Sequence, residues 1–172
     1  MRTVFALTLA ALLAPFAGRA APAETDTVTI GPWQVQASYR GSTFDRCVMS
    51  RVTDDGVETR FVRDVDGLSL AMTSPRWRLE RGKSYPVELS AGSSKLDVDM
   101  SASSDSVTAL IKDDRFVKSL KLADALDVKG AGATIRVALD RSADGFQRLE
   151  SCFEKNGTAV ETNPFVAPPR SP

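Results

Sequence analysis

The sequence predicts a β-dominated fold, all-β or α+β, built as one antiparallel sandwich-like domain with one or two short helices. Three observations lead there. Apolar residues recur at every second position in run after run, turns containing Asp-Gly or Gly separate those runs, and only two segments switch to helical spacing of three and four. The runs add up to roughly eight strands of sandwich length.

Thr27 to Ile30 and Trp33 to Tyr39 alternate apolar with polar residues around Gly31-Pro32, and read as two short strands or one interrupted strand. Phe44 to Val52 follows, with Cys47 and Met49 on one face and Val48 and Val52 on the other. Asp54-Asp55-Gly56 supplies a turn, Val57, Thr59 and Phe61 keep the period of two, and Asp64-Val65-Asp66-Gly67 turns again before Leu68, Leu70 and Met72. Asp-Gly accepts the positive φ that tight hairpin turns require.

The stretch Ser74 to Gly92, SPRWRLERGKSYPVELSAG, is both basic and aromatic. As a hairpin it turns Trp77, Leu79, Tyr85, Val87 and Leu89 toward a core and leaves Arg76, Arg78 and Glu80 outside, with Pro86 marking a strand start or an edge. Leu96, Val98 and Met100 alternate next, then a serine-rich loop over 101–106, then Val107, Ala109 and Ile111.

Between Asp113 and Leu126 the period changes: Phe116, Leu120 and Ala123 share a stripe, and Asp113 or Asp114 can cap a short helix. Leu126 to Val128 begins a strand, Gly130-Ala131-Gly132 is a turn, and Thr134 to Leu139 turns Ile135, Val137 and Leu139 inward. From Ser142 to Asn156, Phe146, Leu149, Cys152 and Phe153 form the stripe of a second helix ending at Asn156-Gly157.

The ends differ in composition from this middle. Arg2 precedes an apolar run from Val4 to Ala17, too short to span a membrane and followed by the small-residue sites around Ala20 and Ala23, so residues 1–23 read as a secretory signal peptide. Residues 24–157 form the globular domain, and 158–172, with four prolines, read as a flexible tail in which Asn163-Pro164-Phe165 is a candidate docking peptide. The expected location is therefore the periplasm or the medium.

Charge narrows the partners. Lys plus Arg and Asp plus Glu balance at 22 each, and residues 31–90 carry nine basic and eight acidic groups, so no block of one sign attracts nucleic acid or a charged membrane surface. The two cysteines, Cys47 and Cys152, would meet an oxidising compartment, and a disulfide between them is the economical reading; a reactive thiol or an intermolecular bond are the alternatives.

The sequence contains no histidine, which removes the usual base of Ser-His-Asp and Cys-His catalysis and the usual ligand of catalytic zinc. No G-x-S-x-G elbow, P-loop or Asp-Thr-Gly occurs, and Gly130-x-Gly132 precedes a strand rather than opening a helix. Asp97 with Asp99, and Asp64 with Asp66, are spaced to share a strand face; their apolar neighbours make each pair the solvated side of an amphipathic strand. No cofactor, metal site or membrane-spanning segment is expected.

Taken together, Ile30-Gly31-Pro32-Trp33-Gln34-Val35, Cys47 in the following strand, Phe116-Val117-Lys118-Ser119-Leu120, and Ile135-Arg136-Val137-Ala138-Leu139 followed by Gly145-Phe146 resemble exported alphaproteobacterial proteins of the invasion-associated locus B type. That resemblance covers most of the chain after residue 23. It implies a small, secreted, β-rich domain without known catalysis, linked in some bacteria to host-cell invasion or the cell envelope. Members often carry a cysteine just after the tryptophan strand, where this chain has Gln36 and Ala37, which leaves one bridge.

The function expected is that of a non-enzymatic interaction module of the bacterial cell envelope. It would bind a protein or envelope component through a strand edge, loops, or a surface made of Arg76, Arg78, Arg81 and Lys83. Two competing readings are a carboxylate-dependent glycan-active enzyme and a structural or stress-related envelope protein with no discrete ligand.

Overall fold

Period-two alternation becomes strand and the two helical stripes become helices across residues 27–157, which the computed structural model describes. The signal peptide expected over 1–23 and the tail expected over 158–172, with Asn163-Pro164-Phe165, lie outside the described residues. In chain order the elements are β1 (Val28–Ile30), β2 (Trp33–Arg40), β3 (Thr43–Val52), β4 (Glu58–Asp64), β5 (Gly67–Thr73), β6 (Ser84–Ala91), β7 (Ser94–Ala102), β8 (Ser106–Ile111), α1 (Asp114–Leu122), β9 (Ala125–Lys129), β10 (Thr134–Ala138) and α2 (Ser142–Gly157).

The roughly eight strands expected from sandwich statistics are ten, and they form one antiparallel sheet in the order β1-β2-β3-β4-β5-β8-β7-β6-β9-β10. Gly31 sits at φ +57°, so the Gly31-Pro32 turn makes two strands of what the sequence left as two or one. Gly56 and Gly67, at φ +79° and +126°, turn the chain at the two Asp-Gly sites.

The two halves of the sheet meet at a narrow seam. Along β7 and β8 only Ser101–Thr108 and Ala102–Val107 are paired, whereas β5 and β8 are paired over their full length from Leu68–Ile111 to Thr73–Ser106. Where β7 and β8 part, α1 packs against both and against β6, and the Ser94 and Ser119 hydroxyls meet at 2.6 Å. The two layers of a sandwich are thus two parts of one sheet, with a shared core. It joins Trp33, Met49, Phe61 and Leu70 of one half to Leu89, Met100 and Leu126 of the other, with Phe116, Leu120, Phe146 and Leu149 from the helices.

α2 closes the first half by lying on β2 and β3. Gly145 permits the approach: a Cβ there would stand 2.7 Å from Met49 Cε and 2.9 Å from its sulfur, so any side chain would displace Met49. The Cys47–Cys152 disulfide joins β3 to α2 across 105 residues of chain. The loop into α2 is held as well: the Trp33 indole donates to the Asp140 carbonyl at 3.0 Å, and Arg51 donates to the Ala138 carbonyl while pairing with the Asp140 carboxylate at 3.2 Å.

α1 begins where its sequence signal said, with Asp113 as cap: its Oδ1 accepts from the Phe116 amide at 2.9 Å and the Arg115 amide at 2.8 Å. The Phe116 amide, helped by the Arg115 amide and charge, holds this carboxyl below its ordinary value despite some desolvation. A depressed folded-state pKa stabilises the fold above the unfolded carboxyl range, and that contribution is lost as pH falls through the folded value. Asp113→Ala should therefore lower the melting temperature by a few degrees at neutral pH, and the gap to wild type should close in acid; thermal melts across pH check it.

The hairpin expected over Ser74 to Gly92 needs correction. β6 and β7 form a hairpin, but residues 75–83 are loop, not strand. Four backbone bonds tie this loop to the end of β7 and the β7–β8 connection: Ser74 N to Asp105 O at 3.0 Å, Leu79 N to Ser104 O at 2.9 Å, Gly82 N to Ala102 O at 2.9 Å and Ala102 N to Lys83 O at 2.9 Å. Such isolated bonds make a flap rather than a ladder. Pro86 explains part of this: it lies on the stretch of β6 before the β9 pairing begins at Glu88, where its missing N–H costs no ladder bond.

Candidate functional site

The alternation of the flap survives without a strand, and it builds a cleft. Trp77 and Leu79 point from the flap toward Tyr85 and Val87 on β6, and Ile135 on β10 and the Gly130–Ala133 turn complete the mouth. Met72, Met100 and Val128 form the floor, and all three belong to the buried core. The cleft holds about 390 Å³, within the range of small-molecule sites.

Of the five residues expected in the core from this stretch, Leu89 alone is fully buried; Trp77, Leu79, Tyr85 and Val87 are half-buried cleft walls. The reason is on the opposite wall. Gly130, Ala131, Gly132 and Ala133 face two aromatic rings with little side-chain volume, so the space is not filled. The Gly130-x-Gly132 segment is the turn expected, closed by Gly130 N donating to Ala133 O at 2.9 Å.

The basic residues lie outside the flap. Arg76 donates to the Asp55 carbonyl, Arg78 reaches the Pro75 and Trp77 carbonyls at 2.8 and 2.7 Å, and Lys83 pairs with Glu80 at 3.0 Å above the Tyr85 ring. The Glu80 carboxylate raises the Lys83 pKa, keeping its charge. Arg81 is exposed beside them. One short segment thus carries Trp77 and Leu79 on its inner side and Arg76, Arg78, Arg81 and Lys83 along its outer side.

A second depression of about 520 Å³ adjoins the cleft across Pro86, Val87, Gly130 and Ala131, and it contains Glu88, Asp97, Asp99 and Lys129. This is where the Asp97/Asp99 pair sits, exposed on β7 opposite Pro86 and Glu88 of β6. Lys95, hydrogen bonded to Glu88 at 3.0 Å, holds the Glu88 carboxyl below its ordinary value, the reverse of what a general acid needs. Asp64 and Asp66 are a turn instead, Asp64 Oδ1 accepting from the Asp66 amide at 3.0 Å.

These features define a class: a β-dominated single domain of one curled sheet, two covering helices and one helix-to-strand disulfide, with an apolar cleft at the seam of its halves. No helix among the described residues is long and apolar enough to cross a membrane. The same fold is found in the crystal structure of invasion associated protein B from Bartonella henselae, with a TM-score of 0.53 and 20% sequence identity, covering 74% of this chain and 98% of that chain. The fold implied by the sequence resemblance is therefore the fold present. A scan against protein-family models gives no match, and neither does a sequence search of curated proteins.

Proposed function

We propose that the protein is an exported, non-enzymatic interaction module of the bacterial cell envelope, and that it binds at the flap of residues 74–83. The observation that carries this reading is the flap's two-sidedness: a concave apolar wall of Trp77 and Leu79 is backed by exposed cations, the mixture of aromatic anchor and charged rim found at recognition sites. The shared fold with an invasion associated protein and the disulfide are in keeping with an envelope location. A carboxylate-dependent enzyme would draw on Glu88, Asp97 and Asp99 of the second depression, and the lysine beside Glu88 lowers its pKa and so argues against Glu88 as the general acid that such a reaction needs.

The test is affinity capture from the organism's own envelope extract with the mature, oxidised protein as bait. Arg76→Ala with Arg78→Ala should reduce recovery of the captured component several-fold while the bait's melting temperature is unchanged. Equal recovery with the double variant would remove this surface from the proposal.

A further inference from the structure

We infer that the cleft under the flap binds the hydrocarbon chain of a free, single-chain anionic amphiphile of the fatty-acid type. This rests on the reading of the protein as a binding module and names the chemistry of what it binds. Three observations select this occupant. The first is continuity with the core: the cleft ends on Met72, Met100 and Val128, so an occupant extends the hydrophobic interior, and the two methionines adapt to its shape.

The second is size. At about 390 Å³ the cleft lies at the lower end of small-molecule sites, room for one hydrocarbon chain rather than for a protein element. The third is the lining. The Gly130, Leu79 and Gly82 amides are already bonded to Ala133, Ser104 and Ala102, and the walls are mainly apolar side chains, which suits an occupant with no polar groups along its length.

A negative head group finds a cation at the mouth in spite of the carboxylates around it. Lys83 stands 5.6 Å from the ring of Tyr85, a cleft wall, and Lys129 adjoins Gly130 on the other side. Glu80 holds Lys83 at 3.0 Å, and Glu88, Asp97 and Asp99 lie beyond Lys129 in the second depression, so the head group meets its cation on the Lys83 side in competition with Glu80.

The experiment is a titration of the purified, oxidised full chain with octanoate, decanoate and dodecanoate below their micelle concentrations, read by tryptophan emission. Trp77 reports from the cleft wall, Trp33 is fully buried under α2 and serves as the constant signal, and Trp77→Phe should abolish the change. Kd should fall about fourfold per added methylene, which is ~0.8 kcal/mol at ~1.4 kcal/mol per tenfold. Ala131→Trp, at an exposed turn, should fill the mouth and weaken dodecanoate binding at least tenfold; if it unfolds the domain, Ile135→Trp fills the mouth from β10 instead. Non-saturable dodecanoate binding, equal affinity for all three chains, or full affinity in the filled variant each overturn the proposal. So does binding to phosphatidylglycerol vesicles without binding of the free acids. The titration needs no partner, so its failure leaves the arginine-face capture standing, and failure of the capture leaves the titration standing.

Discussion

Removing the Cys47–Cys152 bridge, by Cys47→Ala with Cys152→Ala, should lower the unfolding free energy by about 5 kcal/mol, the chain-entropy value for a loop of this length. The bridge closes 105 residues of chain, so its loss frees nearly the whole domain in the unfolded state. A domain of this size should lose on the order of 15 °C to 20 °C in melting temperature for that change. The two effects of the bridge separate in urea: without it the midpoint falls and the m-value rises, because the unlinked denatured chain exposes more surface. A midpoint unchanged by reduction would show that α2 needs no covalent tie to stay on β2 and β3.

Phe61→Ala should cost a comparable amount by a different route. The Phe61 ring is fully buried, 4.8 Å from the Phe146 ring and 5.9 Å from that of Trp33, so it joins α2 to β2 through aromatic contact. Truncation leaves a cavity whose walls, a helix and a sheet, cannot collapse far, and such changes cost about 4 kcal/mol. The urea midpoint should fall with the m-value unchanged, since the denatured chain is barely altered. A loss well under ~1 kcal/mol would mean that α2 settles inward to fill the space, which the tight Gly145–Met49 contact opposes.

The parts of the fold legible in the sequence were those with local causes. The alternation of Leu68, Leu70 and Met72, the Asp-Gly turns, the Asp113 cap and the Phe146–Leu149–Cys152 stripe each act within a few residues, and each is found where its pattern put it. The pairing of Cys47 with Cys152 was legible because two cysteines allow one intramolecular bond. Strand order was not, since β8 beside β5 and β9 beside β6 are long-range pairings with no local mark.

The flap shows the same limit. Alternation told which of its side chains turn inward, but a strand also needs a partner along its length, and residues 75–83 find only isolated bonds to the end of β7 and the β7–β8 connection. The cleft then follows from a juxtaposition of Trp77 and Tyr85 with the Gly130–Ala133 turn, some 50 residues away, that no window of sequence contains.

The position of α2 also governs how the chain is made. The apolar face of β2, β3 and β4 is complete by Asp64, but the helix that covers it starts at Ser142, and Cys47 waits for a partner ten residues later still. A chain emerging from its N-terminus therefore carries a bare hydrophobic face through most of its synthesis, and this face gains its cover only with the last described element. Contacts so distant in sequence fold slowly and invite association in the interval. The chain becomes a domain late and all at once, and until then it depends on being held apart from its neighbours.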